Sequence, residues 1–151
     1  MAAGILVDTN VLVYAHDGAD RGKQGRAIAV LAGLADRGAG ALAAQSLAEF
    51  YWATTRKRRP LLTPAEAEAQ IDRLAASWPV LDLTSAIVCE AARGVRRHHL
   101  PYWDAQIWAA ARLNQIPIVL SEDFADGLRL EGVRFVNPFR PGFLVDAVLA
   151  K

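Results

Sequence analysis

The chain has 151 residues, of which 53% are hydrophobic and 22% charged, and its formal net charge is +1. This length holds one domain with a real core and is too short for two ordinary ones, and the composition excludes a disordered chain. Seventeen basic against sixteen acidic residues do not announce a nucleic-acid binder, and Cys89, the only cysteine, excludes an internal disulfide and a cysteine-based zinc site.

No apolar run approaches the roughly 20 residues that span a bilayer, so no membrane role is expected. The apolar stretch at Gly4 to Val7 has no basic region before it and does not read as a signal peptide. A cytoplasmic location is the expectation. Ile5 to Val7 reads as a strand buried on both faces, and Asn10 to His16 as a short helix. Arg21 to Arg37 reads as a helix with Ile28, Leu31, Leu34 and Ala35 as its core stripe, ended by Gly38-Ala39-Gly40. Ala41 to Ala43 is a short strand. Ser46 looks like an N-cap with Glu49 three residues on, as in a capping box, and the helix runs to about Arg58 before Pro60. On it, Leu47, Phe50 and Tyr51 pack on one face while Glu49 and Ala53 lie on another.

Thr63-Pro64 opens a helix that extends to about Ser77. Val80 to Leu83 is a strand, Thr84 to about His98 a helix, and Tyr102 to Asn114 another helix, followed by Pro117. Ile118 to Leu120 is a further strand, Val133 to Val136 a short last one, and Pro141 to Leu149 a terminal helix. Strands alternating with helices predict an α/β fold, with a mostly parallel sheet flanked by helices and one domain over residues 1–151.

In such sheets the ligand site lies beyond the carboxyl ends of the strands. Asp8 and Asp123 fall just past the two best strands, and Glu49 and Asp104 fall near the starts of two helices. Each acid has a local explanation as well. Asp8 can cap the next helix, Glu49 can complete the capping box, Asp104 can favour its helix dipole, and Asp123 can sit in a turn. Taken together, four carboxylates in one crevice repel one another and call for a cation. Oxygen donors without cysteine select Mg²⁺ or Mn²⁺ rather than zinc. The chain has no G-x-G-x-x-G and no G-x-x-x-x-G-K-[ST], which argues against a Rossmann dehydrogenase or a P-loop enzyme.

Asp8-Thr9-Asn10, Glu49, Tyr102-Trp103-Asp104-Ala105 and Ser121-Glu122-Asp123-Phe124 together resemble the PIN-domain ribonucleases. More narrowly, the chain is similar to the VapC-type toxins of bacterial toxin–antitoxin pairs. The resemblance covers nearly the full length. It implies a PIN-like three-layer fold and a Mg²⁺- or Mn²⁺-dependent endoribonuclease toxin. It carries the catalytic and metal-binding acids onto Asp8, Glu49, Asp104 and Asp123, and supporting groups onto Thr9, Asn10 and Ser121. Glu122 and Asp126 lie close enough in sequence to compete with Asp123 for the fourth place. The resemblance also implies an RNA substrate, a cognate antitoxin and a homodimer.

Two basic clusters gain interest beside such a site. Arg56, Lys57, Arg58, Arg96 and Arg97 are the candidates for holding RNA phosphates, although helix ends also collect cations. His98 and His99 fit a structural place better than a catalytic one. Of the aromatics, Trp52, Trp103, Trp108, Phe50, Tyr51 and Tyr14, most are expected in the core. The competing readings are a catalytically silent module that binds a metal or partner, and a nuclease acting on DNA.

Overall fold

The computed structural model describes residues 3–149. Strands lie at Ile5–Val7 (β1), Gly40–Ala43 (β2), Val80–Leu81 (β3), Ile118–Leu120 (β4), Arg129–Leu130 (β5) and Val133–Val136 (β6). They form one sheet in the order β3-β2-β1-β4-β6-β5, parallel throughout except where β5 turns back against β6. The helices are Thr9–Tyr14 (α1), Arg21–Arg37 (α2), Ala44–Thr55 (α3), Pro64–Ser77 (α4), Ser85–His98 (α5), Tyr102–Leu113 (α6) and Val145–Leu149 (α7).

Helices cover both faces, which gives the expected three layers. The period of two along β1 sends Leu6 to one side and Ile5 and Val7 to the other. Leu6 joins Val119, Phe135, Ile107 and Trp108 beneath α5 and α6. Ile5 and Val7 join Leu120, Val11, Leu34 and Phe50 beneath α1, α2 and α3. Burial on both faces is why the short central strands read as continuous apolar runs. The α5–α6 pair packs closely because Gly94 has no side chain: a Cβ there would lie 2.6 Å from the Trp108 ring.

The register of the central pair positions the site. Ile5, Leu6 and Val7 stand opposite Ile118, Val119 and Leu120, so Asp8 and Ser121 leave the sheet side by side. From β1 the chain crosses to β2 on one side, while β4 lies on the other. A crevice opens at such a switch point.

Several elements differ from the sequence expectation. The second long helix does not start at Ser46. Strand β2 runs straight into α3, Ala43 is the N-cap without a side-chain bond, and Ser46 is buried inside the helix. The capping box belongs instead to Thr63 and Glu66 at α4. Helix α3 ends at Thr55, short of the basic run, and β3 ends at Leu81 as Asp82 and Leu83 leave the sheet. The core stripe of α2 is Ala27, Val30 and Leu34, rotated by one residue, and leaves Ile28 52% exposed. Tyr51 is exposed rather than packed. Strand β5 was not foreseen. The terminal helix begins only at Val145, because Gly142 takes a positive φ of 75° and Phe143 turns into the core.

Candidate active site

Asp8 serves as a helix cap through one carboxylate oxygen and binds a buried hydroxyl through the other. It occupies the N-cap of α1, where Oδ1 accepts from the Thr9 amide at 2.8 Å. Oδ2 accepts from the Ser121 hydroxyl at 2.7 Å. The side chain is nearly fully buried. Burial is the main reason its carboxyl is pushed up to about 7, against the two hydrogen bonds and with help from Asp123 and Glu49.

Glu49 reaches the same place from α3. Thr9 Oγ1 donates to Glu49 Oε2 at 2.7 Å, and Gln45 Nε2 donates to Oε1 at 3.0 Å, so both oxygens are held. Asp123 follows β4 by two residues, and Asn10 Nδ2 donates to its Oδ2 at 3.2 Å and to Ser121 Oγ at 3.0 Å. Asp104 sits half-buried in the first turn of α6. Its carboxyl is raised by burial first and then by Asp123 and Glu49. Asp123 and Glu49 thus bear on both Asp8 and Asp104, although the four acids come from four separate segments. Among the described residues none of the four has a salt-bridge partner.

The neighbouring acids are occupied elsewhere. Glu122 accepts from Tyr14 at 2.6 Å and pairs with Lys23 at 2.8 Å. Asp126 pairs with Arg140 at 3.2 Å and accepts from the Asn137 amide at 2.9 Å. Of the three competitors for the fourth place, Asp123 is the one whose charge bears on Asp8 and Asp104. Thr9, Asn10 and Ser121 each hold a different acid.

Two contributors were not anticipated. Gln45 bridges Glu49 and the Trp103 carbonyl, and its own Oε1 accepts from the buried Gln106 at 2.7 Å. The available signal was a polar amide one turn before Glu49 and another inside an otherwise apolar helix. Among the described residues, no three acids, histidines or cysteines close into a compact metal cluster.

The cations and aromatics divide. Arg56, Lys57 and Arg58 are exposed just beyond α3, and the Arg56 guanidinium lies 5.2 Å from the centre of the Trp52 ring. Arg96 and Arg97 are exposed in the last turn of α5, and a short turn joins that end to the first turn of α6, which carries Asp104. His98 stands edge-on to Trp108 and pairs with Glu131, while His99 is the left-handed cap of α5. Trp108 and Phe50 are core, whereas Trp52 and Trp103 are each 61% exposed.

A family model described as PIN domain matches residues 5–125, which takes in all four acids. No curated protein matches the chain by sequence. Among solved structures, VapBC2 from Rickettsia felis bound to a promoter DNA fragment aligns with a TM-score of 0.61 at 13% identity, over 87% of this chain and 96% of that one. VapC20 from Mycobacterium tuberculosis, a toxin that cleaves the sarcin-ricin loop, aligns with a TM-score of 0.62 at 20% identity, over 76% and 86%. FitAcB from Neisseria gonorrhoeae aligns with a TM-score of 0.57 at 20% identity, over 89% and 98%. At these identities the likeness is one of fold.

Proposed function

Because the chain belongs to the PIN-domain family, we propose that it is a Mg²⁺- or Mn²⁺-dependent endoribonuclease and the toxin of a toxin–antitoxin pair. The observation that carries this reading is the set of four acids, Asp8, Glu49, Asp104 and Asp123, each unpaired by any cation of the described residues, with Asp8 and Asp104 raised by burial first and then by Asp123 and Glu49. Burial and mutual repulsion make the site costly without a positive charge, so the residues fit a divalent ion. An open set of oxygen donors suits Mg²⁺, which keeps several of its waters.

Asp8 and Asp104 would be the main ligands, with Asp123 completing the site directly or through water. When bound, the ion would lower the pKa of a water and neutralise charge on the scissile phosphate. The protein's own groups supply the positioning. Thr9 and Gln45 hold both oxygens of Glu49, which orients that carboxylate to take a proton from the attacking water. Ser121 and Asn10 fix Asp8 and Asp123. Attack by water rather than by the ribose hydroxyl leaves a 5′-phosphate and a 3′-hydroxyl. Arg56, Lys57, Arg58, Arg96 and Arg97 would meet the flanking phosphates.

The antitoxin is proposed to use a second surface. An apolar groove of about 500 Å³ lies between α2 and α4, lined by Ile28, Leu31, Leu74 and Trp78. Its shape and composition suit the apolar face of an amphipathic helix. Solved neighbours of this fold include a toxin–antitoxin complex from Klebsiella pneumoniae. A homodimer remains part of the proposal, with exposed Val88 on α5 and Leu113 on α6 offering apolar surface.

The test is cleavage of a structured RNA by purified protein with Mg²⁺ or Mn²⁺, beside single-stranded DNA. Wild type should cut RNA, and Asp8→Asn and Asp104→Asn should not. Sequencing of RNA ends after induced expression would give the site. Full activity in both variants, or cleavage of DNA alone, would overturn the reading.

A further inference from the structure

Trp52 on α3 and Trp103 on α6 stand over the same cleft, of about 470 Å³, with Leu83 as their third apolar neighbour. All three are more than half exposed. Glu49 lines this cleft too, so one of the four acids stands within it. Its floor is tied together. Gln45 Nε2 donates to Glu49 at 3.0 Å and to the Trp103 carbonyl at 3.1 Å, Gln106 donates to Gln45 at 2.7 Å, and Tyr102 donates to Gln106 at 2.9 Å. The Gln45 bonds to the Trp103 carbonyl and to Gln106 link α3 to α6.

The charge around the cleft narrows the occupant. The Arg56 guanidinium lies over Trp52, and Lys57, Arg58 and Arg59 follow it, all exposed. An occupant therefore needs flat apolar faces for the indoles and negative charge for the cations, and it must lead into the acidic crevice. A nucleotide has all three properties. An acidic peptide would supply the negative charge but no flat apolar faces for the indoles, and an apolar helix would leave the cations without a role.

We propose that Trp52 and Trp103 form a base-stacking subsite for a nucleotide of single-stranded RNA next to the cleaved phosphate, with Arg56 on its backbone. The proposal rests on the ribonuclease reading above. Stacking of this kind tolerates any base, because every base has a π-face. The subsite would favour unpaired loops over duplex, in which the bases are already stacked.

The test uses the Asp8→Asn protein, so that RNA is bound but not cut, and a short fluorescein-labelled oligoribonucleotide without secondary structure. Adding Trp52→Ala or Trp103→Ala should weaken binding about 5- to 100-fold, and phenylalanine at either position should restore most of it. RNA should quench indole emission, and an oligomer of abasic sites should bind all the proteins equally weakly. In the active protein the alanine changes should raise KM more than they lower kcat. Unchanged RNA affinity in both alanine variants, with unchanged circular dichroism, would overturn the subsite. Variants that keep RNA affinity but lose a protein partner would overturn it in favour of a protein surface. Base-dependent binding by a wild-type protein that cuts no RNA would overturn the ribonuclease reading and leave the subsite standing.

Discussion

Ser121 donates its hydroxyl hydrogen to Asp8 Oδ2 at 2.7 Å, across the junction of the two central parallel strands. The same oxygen of Ser121 accepts from Asn10 at 3.0 Å and from the Asp123 amide at 3.1 Å. One small side chain therefore ties Asp8 to Asp123. Ser121→Ala should remove a bond that favours the ionised form of Asp8, and so raise its carboxyl further above 7. Carboxyl titration by NMR in chelator-treated protein checks the direction. With Asp8 as the proposed metal ligand, activity should fall about 10- to 100-fold, as is usual when a group supporting such a ligand is lost.

Asp8→Asn should stabilise the metal-free protein above neutral pH. The folded carboxyl titrates near 7 and the unfolded one near 3.8, so the fold disfavours the charge. That cost is absent below about pH 3.8, grows up to about pH 7 and is complete above it. It amounts to at most about 4 kcal/mol. Melting curves in chelator at pH 8 and pH 4 should show a higher Tm for the variant at pH 8 only. Equal Tm values at pH 8 would mean that burial does not burden Asp8. Saturating Mg²⁺ should narrow the gap by raising the wild-type Tm.

Glu131 shows the opposite sign. Bonds from His98 and then from Arg93 hold its carboxyl down at about 2. The stabilisation is present above the usual carboxylate value near 4.5 and is lost as pH falls through about 2. Glu131→Gln should therefore lower Tm at pH 7, with the deficit shrinking toward pH 2. A deficit that does not change with pH would show that packing, not charge, is what the substitution removes.

Gly94→Ala should destabilise the protein by about 1–3 kcal/mol, the usual cost of overpacking a core. The new methyl would meet the Trp108 ring at 2.6 Å, and that ring is fully buried and hydrogen-bonded through Nε1 to the Leu130 carbonyl at 3.2 Å. Urea unfolding measures the loss. An unchanged midpoint would mean that α5 can lift from α6 at no cost.

If the proposed antitoxin binds the α2–α4 groove, Ile28→Asp should weaken that complex at least tenfold while changing stability by no more than about 0.5 kcal/mol. Ile28 is half exposed and lines the groove between α2 and α4, so its loss leaves no core cavity. Titration calorimetry against the protein encoded alongside would measure it. Unaltered affinity would move the partner to another face.

Much of this protein could be read without coordinates. Central strands β1 and β4 are runs of Ile, Leu and Val because they are buried on both faces, and such runs are legible as they stand. Helix α2 and the start of α4 carry their own signals in Gly38 and in Thr63-Pro64. From the sequence pattern alone, Asp8 falls just past the end of β1, where it caps α1. Where local signals competed, the outcome depended on packing. Ser46 and Glu49 spell a capping box, but strand β2 feeds straight into α3 and turns Ser46 into the core. Ile28 belongs to a helical stripe by spacing, yet the face of α2 that meets the sheet is the one beside it.

The acidic site divides in the same way. Which acids were available, and that an oxygen-rich site suits a hard cation, followed from residue types and their place after strands or at helix starts. Which acid near β4 bears on Asp8 and Asp104 did not. Glu122, Asp123 and Asp126 are chemically alike and close in sequence. The choice was made by Lys23 and Tyr14, which take Glu122, by Arg140, which takes Asp126, and by Asn10, which holds Asp123. Those partners stand 14 to more than 100 residues away. Sequence determines chemistry and local conformation over a few residues, whereas pairing of charges across the fold depends on distances that exist only once the sheet has formed.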